Sequence, residues 1–227
     1  MMLAAGRGTR LGELGRRLPK ALVEIGGRPL LGRQLDFLAS EGAQRVVINA
    51  HHLAEQIVEY VARRAGGLHV SVMVEPELLG TAGGVRNALH CFDPRAPIVV
   101  VYADTILDAP VREIVAGHVE AGADATICAN WLPSTHGKGV LDVDGRGRIV
   151  GFVEKPADGR PGLASTGLYV LEPGFVELAP PGKFCDFGND VFPAALASGK
   201  HLRVHRVDAL ARDIGTPDAL AEAQRAA

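Results

Sequence analysis

One stretch near the start of the chain combines glycines with positive charge. The sequence reads L-A-A-G-R-G-T-R-L from Leu3 to Leu11, and P-K-A-L follows from Pro19 to Leu22. Glycines allow backbone N–H groups to face an anion with no Cβ in the way, and Arg10 and Lys20 can then neutralise its charge. This combination predicts a site for a triphosphate.

The stretch matches neither of the two common glycine motifs. A P-loop requires a Lys-Ser or Lys-Thr pair after its last glycine, and no glycine of this chain is followed by such a pair. The dinucleotide fingerprint requires a third glycine at the position where Leu11 stands. A tight strand-to-helix turn would explain the glycines alone. Thr9, Arg10 and Lys20 favour a binding role.

The composition is that of an ordinary globular protein. Of the 227 residues, 47% are hydrophobic and 22% charged, and the net charge of −2 provides no strong field toward nucleic acid or an anionic membrane. The three cysteines form no C-x-x-C pair and indicate no disulfide framework. With no apolar run near the ~18 residues of a membrane span and no signal-peptide pattern, we expect a cytoplasmic protein. The sequence leaves homo-oligomer formation open.

Strand-like and helix-like segments alternate in the first part of the chain. Short apolar runs typical of buried strands lie at Arg45–Ala50, Leu68–Val74 and Pro97–Tyr102, with helical spacing between them. This alternation predicts an α/β protein with a parallel sheet. Beyond residue 130 strands joined by turns dominate, including a hairpin with its turn at 144–147. We therefore predict one domain, 1–227, with a nucleotide-binding half (1–130) and a second half (131–227).

Two aspartates stand where carboxylates could hold a metal ion. Asp104 follows the apolar run that ends at Tyr102, and Asp213 precedes the last predicted helix. Ligands of open α/β sheets bind at the carboxyl ends of the strands, and Mg²⁺ takes one or two carboxylates together with substrate phosphates. Either aspartate alone could equally cap a helix. The side chains of adjacent residues such as His51 and His52 rarely point the same way in a strand or helix, so this pair is expected to be structural.

The opening stretch resembles the signature of the sugar-1-phosphate nucleotidyltransferases, L-A-A-G-x-G-T-R-L followed by P-K-x-L. D-I-G-T-P from Asp213 to Pro217 is a second specific match, and weaker matches follow in order along nearly the whole chain. The resemblance implies a Rossmann-like three-layer fold with a mixed, mostly parallel central sheet and a hairpin-containing sugar-binding lobe. It implies Mg²⁺ on Asp104 and Asp213. It places at the nucleotide Leu3, Ala4, Ala5, Gly6, Gly8, Thr9, Glu75, Gly80, Thr81 and Ala82.

Further motifs resemble the sugar-binding elements of the same family. In the E-K-P run that begins at Glu154, that residue would accept hydrogen bonds from sugar hydroxyls, and Lys155 would contact the phosphate of the sugar. The family commonly has Asn where Thr166 stands, and this departure bears on the identity of the sugar. The resemblance places at the sugar phosphate Gly139, Glu154, Lys155, Thr166, Gly167 and Asp190.

These residues predict transfer of a nucleoside monophosphate from a nucleoside triphosphate to a sugar 1-phosphate, with release of pyrophosphate. The sugar phosphate has a second pKa near ~6 and is already an anion at neutral pH, so no general base is required. We expect in-line attack on the α-phosphorus, helped by positioning and by opposite charge. The predicted catalytic residues are Arg10, Lys20, Asp104, Lys155 and Asp213.

The sequence leaves the base and the sugar open. Glu75 could accept N–H bonds from guanine or from uracil and thymine. Together with the run from Asp186 to Pro193, it favours GTP and a mannose- or heptose-type sugar. The alternatives are UTP- or dTTP-dependent transfer to another sugar 1-phosphate, and cytidylyl transfer to an alcohol phosphate. A regulatory subunit without activity is the non-enzyme alternative, although Lys20 and both aspartates are present. The missing third glycine disfavours a nicotinamide-dependent enzyme.

Overall fold

The computed structural model describes residues 1–64, 66–106, 108–207 and 212–225, without the side chains of residues 212 and 213. The described strands, in chain order, are β1 (Met2–Leu3), β2 (Glu24–Ile25), β3 (Arg28–Pro29), β4 (Arg45–Ala50), β5 (His69–Val74), β6 (Ile98–Tyr102), β7 (Thr105–Ile106), β8 (Ala125–Leu132), β9 (Gly139–Val143), β10 (Ile149–Glu154), β11 (Gly162–Leu171), β12 (Leu202–Arg206) and β13 (Arg212–Asp213). The described α-helices are α1 (Glu13–Arg17), α2 (Leu30–Ser40), α3 (Ala54–Arg63), α4 (Gly80–Ala88), α5 (Val111–Ala121), α6 (Pro173–Val176), α7 (Phe192–Ala197) and α8 (Pro217–Arg225).

Two compact units divide the chain. The first takes the described residues of 1–78, 101–111 and 211–227, and the second those of 79–100 and 112–210. The first unit is therefore assembled from three separate stretches of sequence. The assignment of nucleotide binding to residues 1–130 and sugar binding to 131–227 stays a prediction.

The main sheet of the first unit is parallel, and two short antiparallel pairs, β2–β3 and β7–β13, form separate two-stranded sheets. β1 lies between β4 and the end of β6, so that Leu3 stands beside Asn49 on one side and Tyr102 on the other. β5 pairs with β4 over six residues, from His69 opposite Arg45 onward. Because parallel strands end at the same edge, the residues that follow β1, β4, β5 and β6 are brought to one edge of this sheet.

An apolar cluster that includes the last helix packs the first unit. Leu220 of α8 is buried together with Leu11, Leu30 and Ile214. Burial of one such side chain contributes about 1.5–3 kcal/mol. α8 begins as the sequence predicts, with Pro217 as its first residue and the Thr216 hydroxyl accepting the N–H of Ala219 at 3.3 Å.

A mixed sheet forms the second unit, in the order β12-β8-β11-β9-β10. β12 is parallel to β8, and the other neighbours are antiparallel. The hairpin of β9 and β10 confirms the predicted turn, because the N–H of Asp144 donates to the carbonyl of Arg148 at 2.9 Å and that of Gly147 to Asp144 at 3.1 Å. The pairing of β11 with β8 is irregular between Ser165 and Tyr169.

Aromatic rings fill the core of the second unit. The ring centroid of Phe192 lies 5.0 Å from that of Phe152, 5.3 Å from Tyr169 and 5.5 Å from Phe187. Phe187 opens a π-helical turn, residues 187–191, that runs directly into α7. This packing places the turn against β10 and β11.

The predicted long loop of residues 6–20 contains more structure than its sequence indicates. It holds a 3₁₀ turn at Thr9–Leu11 and the helix α1. Contacts distant in sequence stabilise α1, since His52 Nε2 lies 3.0 Å from the carbonyl oxygen of Gly15 and Gln56 Nε2 donates to the backbone carbonyl of Arg17 at 3.0 Å. Periodicity does not reveal helices this short. In the described parts of the chain, no helix combines the length and apolar character needed to cross a bilayer.

Candidate active site

The glycine-rich turn lies at the carboxyl end of β1, in the first unit. Gly8 has φ 62° and ψ 22°, a left-handed conformation that favours glycine. A Cβ there would lie 3.3 Å from Cγ of Lys20, so the lysine stem passes close over the turn. The segment Leu3–Thr9 thus follows a strand end and lies beside an ammonium group. Gly6, Thr9 and Arg10 are exposed, whereas Ala5 is buried and Leu3, Ala4 and Gly8 are half-buried.

Lys20 and Asp104 form an ion pair within the first unit. Lys20 Nζ lies 2.7 Å from Asp104 Oδ2, and the two side chains are only 12% and 24% exposed. Asp104 follows β6, and the N–H of its neighbour Ala103 donates to the carbonyl of Leu3 at 3.0 Å. The structure therefore brings together two of the predicted catalytic residues, which are 84 positions apart in the sequence.

The backbone of Asp213 lies next to that of Asp104. β13 pairs antiparallel with β7 so that Asp213 is opposite Thr105, and the N–H of Ile214 donates to the carbonyl of Asp104 at 3.0 Å. The side chain of Asp213 lies outside the described part of the structure. The chemistry of the donor set, two aspartates whose backbones are neighbours, fits a hard divalent cation such as Mg²⁺.

Buried polar side chains link three strand ends in the first unit. Asn49 accepts the N–H of Ala4 at 2.9 Å and donates to Glu75 Oε1 at 2.7 Å. Asn49 and Glu75 are each only 2% exposed. The carbonyl of Glu75 lies 2.8 Å from Nδ1 of His51. Glu75, predicted to contact the base, is therefore held by this network at the end of β5.

In the second unit, the segment Gly80–Ala82 is joined to the segment that precedes the π-helical turn. The N–H of Ala82 donates to the carbonyl of Cys185 at 3.0 Å. Thr81 Oγ1 donates to Asp186 Oδ2 at 2.9 Å and accepts the N–H of Phe187 at 2.8 Å. Thr81 and Ala82, both predicted at the nucleotide, thus hold the start of α4 in place through the Thr81 hydroxyl and the Ala82 amide.

The end of β10 presents a carboxylate and an ammonium group in the second unit. Lys155 Nζ lies 3.2 Å from Glu154 Oε1, with Lys155 well exposed and Glu154 mostly covered. Lys155 has φ 49°, uncommon for a residue with a Cβ. Gly139 stands opposite Glu154, and a Cβ there would lie only 2.8 Å from Glu154 Oε2. Three of the predicted sugar-phosphate residues are therefore adjacent.

The other three predicted sugar-phosphate residues lie in two elements of the second unit: Thr166 and Gly167 in β11, and Asp190 in the π-helical turn. Thr166 is buried and its hydroxyl donates to the carbonyl of Cys128 at 3.0 Å. Gly167, with φ 79°, lies in the irregular part of β11. The exposed Asp190 accepts the N–H of Asp186 at 2.7 Å. The Thr166 hydroxyl makes a structural bond, and its predicted sugar contact stays a prediction.

Sequence reasoning missed two side chains that hold the predicted site. Gln34 is buried on α2, and its Nε2 donates to the carbonyl of Tyr102 at 3.2 Å and to that of Thr105, on either side of Asp104. Asn49 is the other. Two features of the sequence could have revealed them. Gln34 is a polar residue on the apolar face of a predicted helix, and Asn49 is a polar residue at the end of a buried apolar run.

Comparison with known proteins places this geometry in a family. The whole chain, residues 1–227, matches the family described as Nucleotidyl transferase. It is 32% identical to a UTP–glucose-1-phosphate uridylyltransferase of Synechocystis and 33% identical to a mannose-1-phosphate guanyltransferase of Debaryomyces hansenii, with 96% of this chain covered in each case. The chain spans about 60% of the length of these relatives.

Solved structures show the same fold. HddC from Yersinia pseudotuberculosis superimposes with a TM-score of 0.86 at 26% identity, over 99% of this chain and 97% of that one. A glucose-1-phosphate thymidylyltransferase from Bacillus anthracis, itself named as putative, superimposes equally well at 20% identity. These similarities confirm the predicted α/β three-layer fold with its mixed, mostly parallel sheet. The chain thus belongs to the nucleotidyl transferase family.

Proposed function

We propose that this protein transfers a nucleoside monophosphate from a nucleoside triphosphate to a sugar 1-phosphate and releases pyrophosphate. The observation that carries the proposal is the Lys20–Asp104 pair at 2.7 Å, beside the glycine-rich turn and the strand that bears Asp213. Glycine turns and strand ends of α/β sheets bind polyphosphates, and positioned charge is the main requirement of phosphoryl transfer.

Each predicted catalytic residue has a role in this reaction. Arg10 and Lys20 stabilise the triphosphate and the charge that moves onto pyrophosphate. Asp104 and Asp213 would hold Mg²⁺, which would supply charge neutralisation at the phosphates when bound. Lys155 holds the phosphate of the sugar, while Glu154 accepts hydrogen bonds from sugar hydroxyls. The attacking oxygen needs no general base because it is already an anion.

GTP is the favoured nucleotide, with a mannose- or heptose-type sugar. Several yeast relatives at 30–35% identity are named mannose-1-phosphate guanyltransferase, and HddC was solved in a complex with GMP-PN. The buried Glu75 carboxylate can accept the N1 and N2 protons of guanine. UTP with glucose 1-phosphate is the second candidate, favoured by the similarity to the Synechocystis enzyme.

A panel assay of pyrophosphate release tests the proposal. The purified protein is incubated with Mg²⁺, each of ATP, GTP, CTP, UTP and dTTP, and a set of sugar 1-phosphates and alcohol phosphates. We expect turnover with a sugar 1-phosphate, fastest with GTP. Turnover only with an alcohol phosphate and CTP would contradict the sugar assignment, and binding of a nucleotide sugar with no turnover for any pair would indicate a regulatory subunit.

A further inference from the structure

A chain of hydrogen bonds crosses the carboxyl ends of three neighbouring parallel strands in the first unit. It runs from the N–H of Ala4, after β1, to Oδ1 of Asn49 in β4, and from Nδ2 of Asn49 to the carboxylate of Glu75, after β5. Both distances, 2.9 and 2.7 Å, are those of good hydrogen bonds. The link therefore joins the start of the glycine-rich turn to Glu75.

Burial makes this link consequential. Asn49 and Glu75 are each 2% exposed, so water cannot substitute for a partner that is lost. A hydrogen bond to a charged group is stronger and more directional than one between neutral groups. The Asn49 amide consequently helps to fix the direction in which the Glu75 carboxylate faces.

The side-chain chemistry at position 49 suits this double role. A primary amide offers an acceptor and a donor on one short planar group, which matches the backbone N–H on one side and the carboxylate on the other. Aspartate would keep the acceptor for Ala4 but lose the donor and bring a second negative charge to Glu75. Alanine would lose both bonds.

We propose that Asn49 is a positioning residue that sets nucleobase selectivity by orienting the Glu75 carboxylate and tying it to the glycine-rich turn. The inference rests on the proposed function, in which Glu75 accepts the ring N–H groups of the base. Recognition of a base by a carboxylate depends on the direction of its oxygens, because an unmatched buried polar group is costly. A carboxylate that rotates loses its preference among bases.

The test compares nucleotide selectivity among variants of the full chain. The quantity is the ratio of kcat/KM between the best and the second-best nucleotide in the panel, backed by the ratio of their dissociation constants measured by calorimetry. We expect Asn49→Ala and Asn49→Asp each to lower both ratios about 10-fold or more, from the loss of a hydrogen bond to a charged group. Loss of selectivity in Asn49→Asp, which keeps the acceptor for Ala4, assigns the effect to Glu75.

Two further variants separate positioning from general damage. In a Glu75→Gln background, Asn49→Ala should change the ratio no further, because both residues act through one contact. Thr126→Val removes another buried hydrogen bond, that of the Thr126 hydroxyl with His118, and should lower stability without changing the ratio.

The outcomes distinguish this inference from the proposed function. An equal fall for all nucleotides in the Asn49 variants, with the ratio kept, would overturn the inference and leave nucleotidyl transfer intact. A wild-type protein that turns over several nucleotides equally well would also overturn the inference, because it would have no nucleobase selectivity to set. A wild-type protein that neither binds nor turns over any nucleotide would overturn both.

Discussion

Lys20 and Asp104 carry opposite charges in a setting that is mostly withdrawn from water. Withdrawing two charges from water costs about as much free energy as their mutual attraction returns, so stability alone is a weak reason for this pair. A lysine at 2.7 Å from a carboxylate, over a glycine-rich turn, is instead what a triphosphate site needs. At the scale of single residues, we therefore expect function to depend on these two charges.

Removing either charge should abolish most of the activity and keep the fold. We expect Lys20→Met and Asp104→Asn each to lower the rate of pyrophosphate release about 10²–10³-fold, the typical loss for one group that stabilises developing charge. Steady-state kinetics measures the rate, and circular dichroism checks the fold.

A matched control for these variants exists in the second unit. Lys200 Nζ lies 2.9 Å from Asp124 Oδ1, an ion pair of similar length at greater exposure. Lys200→Met should leave the rate of pyrophosphate release within about 2-fold of wild type. Lys200 is not a predicted site residue, and a partly exposed ion pair contributes little to stability. Full activity of Asp104→Asn would refute the metal assignment.

Among the secondary-structure elements, α2 forms hydrogen bonds to the backbone on both sides of Asp104. Its apolar face includes the fully buried Leu31 and Leu35, and Gln34 lies beside them. The Gln34 amide donates to the carbonyls of Tyr102 and Thr105, while its Oε1 is buried without a hydrogen-bond partner. Burying an amide oxygen without a hydrogen-bond partner lowers the stability of the fold. We therefore infer that Gln34 serves to hold the end of β6 in place through its two donated hydrogen bonds.

Gln34→Met should loosen this strand end. The variant keeps the length of the side chain but removes both hydrogen bonds, and we expect a loss of about 1–3 kcal/mol in the free energy of unfolding. Urea denaturation measures it. Gln56→Met is the control, because Gln56 also donates to a backbone carbonyl, that of Arg17, in a hydrogen bond that is exposed to solvent. Equal losses for the two variants would contradict a special role for Gln34.

Gly139 in β9 lies opposite Glu154 in β10, and the absence of a side chain at Gly139 leaves room for the Glu154 carboxylate. A Cβ at position 139 would lie 2.5 Å from Cζ of Phe152 and 2.8 Å from Oε2 of Glu154. Gly139→Ala should therefore cost about 1–3 kcal/mol of stability, as overpacking does, and raise KM for the sugar phosphate by displacing Glu154. Chemical denaturation and kinetics measure the two effects.

Gly162, in the neighbouring strand β11, is a suitable control for that substitution. A Cβ there would meet Val140 Cγ1 at 3.5 Å, an ordinary contact. Gly162→Ala should leave both stability and KM nearly unchanged. An equally small effect of Gly139→Ala would show that Glu154 does not depend on this close approach.

The stability of the whole molecule should depend on pH through buried histidines. His118 is buried, with Nδ1 2.8 Å from Thr126 Oγ1 and Nε2 3.1 Å from Glu172 Oε1. Burial lowers the pKa of His118 below its ordinary 6.5, and Arg203 adds to this, whereas Glu172 and Asp124 oppose it. The unfolded chain then binds the proton more readily, so stability is full above about pH 6.5 and falls as the pH drops through that value.

His118→Asn should reduce this pH dependence. We expect the fall in the free energy of unfolding between about pH 7.5 and 5.5 to be smaller in the variant than in wild type, because one proton-binding group of the unfolded chain is gone. Burial also lowers the pKa of His205, so part of the dependence of stability on pH should remain in the His118→Asn variant. Urea denaturation at the two pH values measures it, and identical slopes would contradict the assignment.

The sequence by itself determined the fold class and the chemical character of the site. Alternating apolar runs predicted the α/β sheet, and the motifs around Gly8, Lys20, Asp104 and Asp213 indicated the family, because both signals are local in the chain. The hairpin turn at 144–147 was predictable for the same reason.

Only the tertiary structure decided which distant residues meet. Lys20 reaches Asp104 and Asn49 reaches Glu75 because parallel strands separated in sequence end at one edge of a sheet, and no local pattern encodes that pairing. The short helix α1 likewise depends on contacts from His52 and from Gln56 of α3. Hydrogen bonds between buried side chains become visible only when the strands are placed side by side, and they hold the charged groups in position.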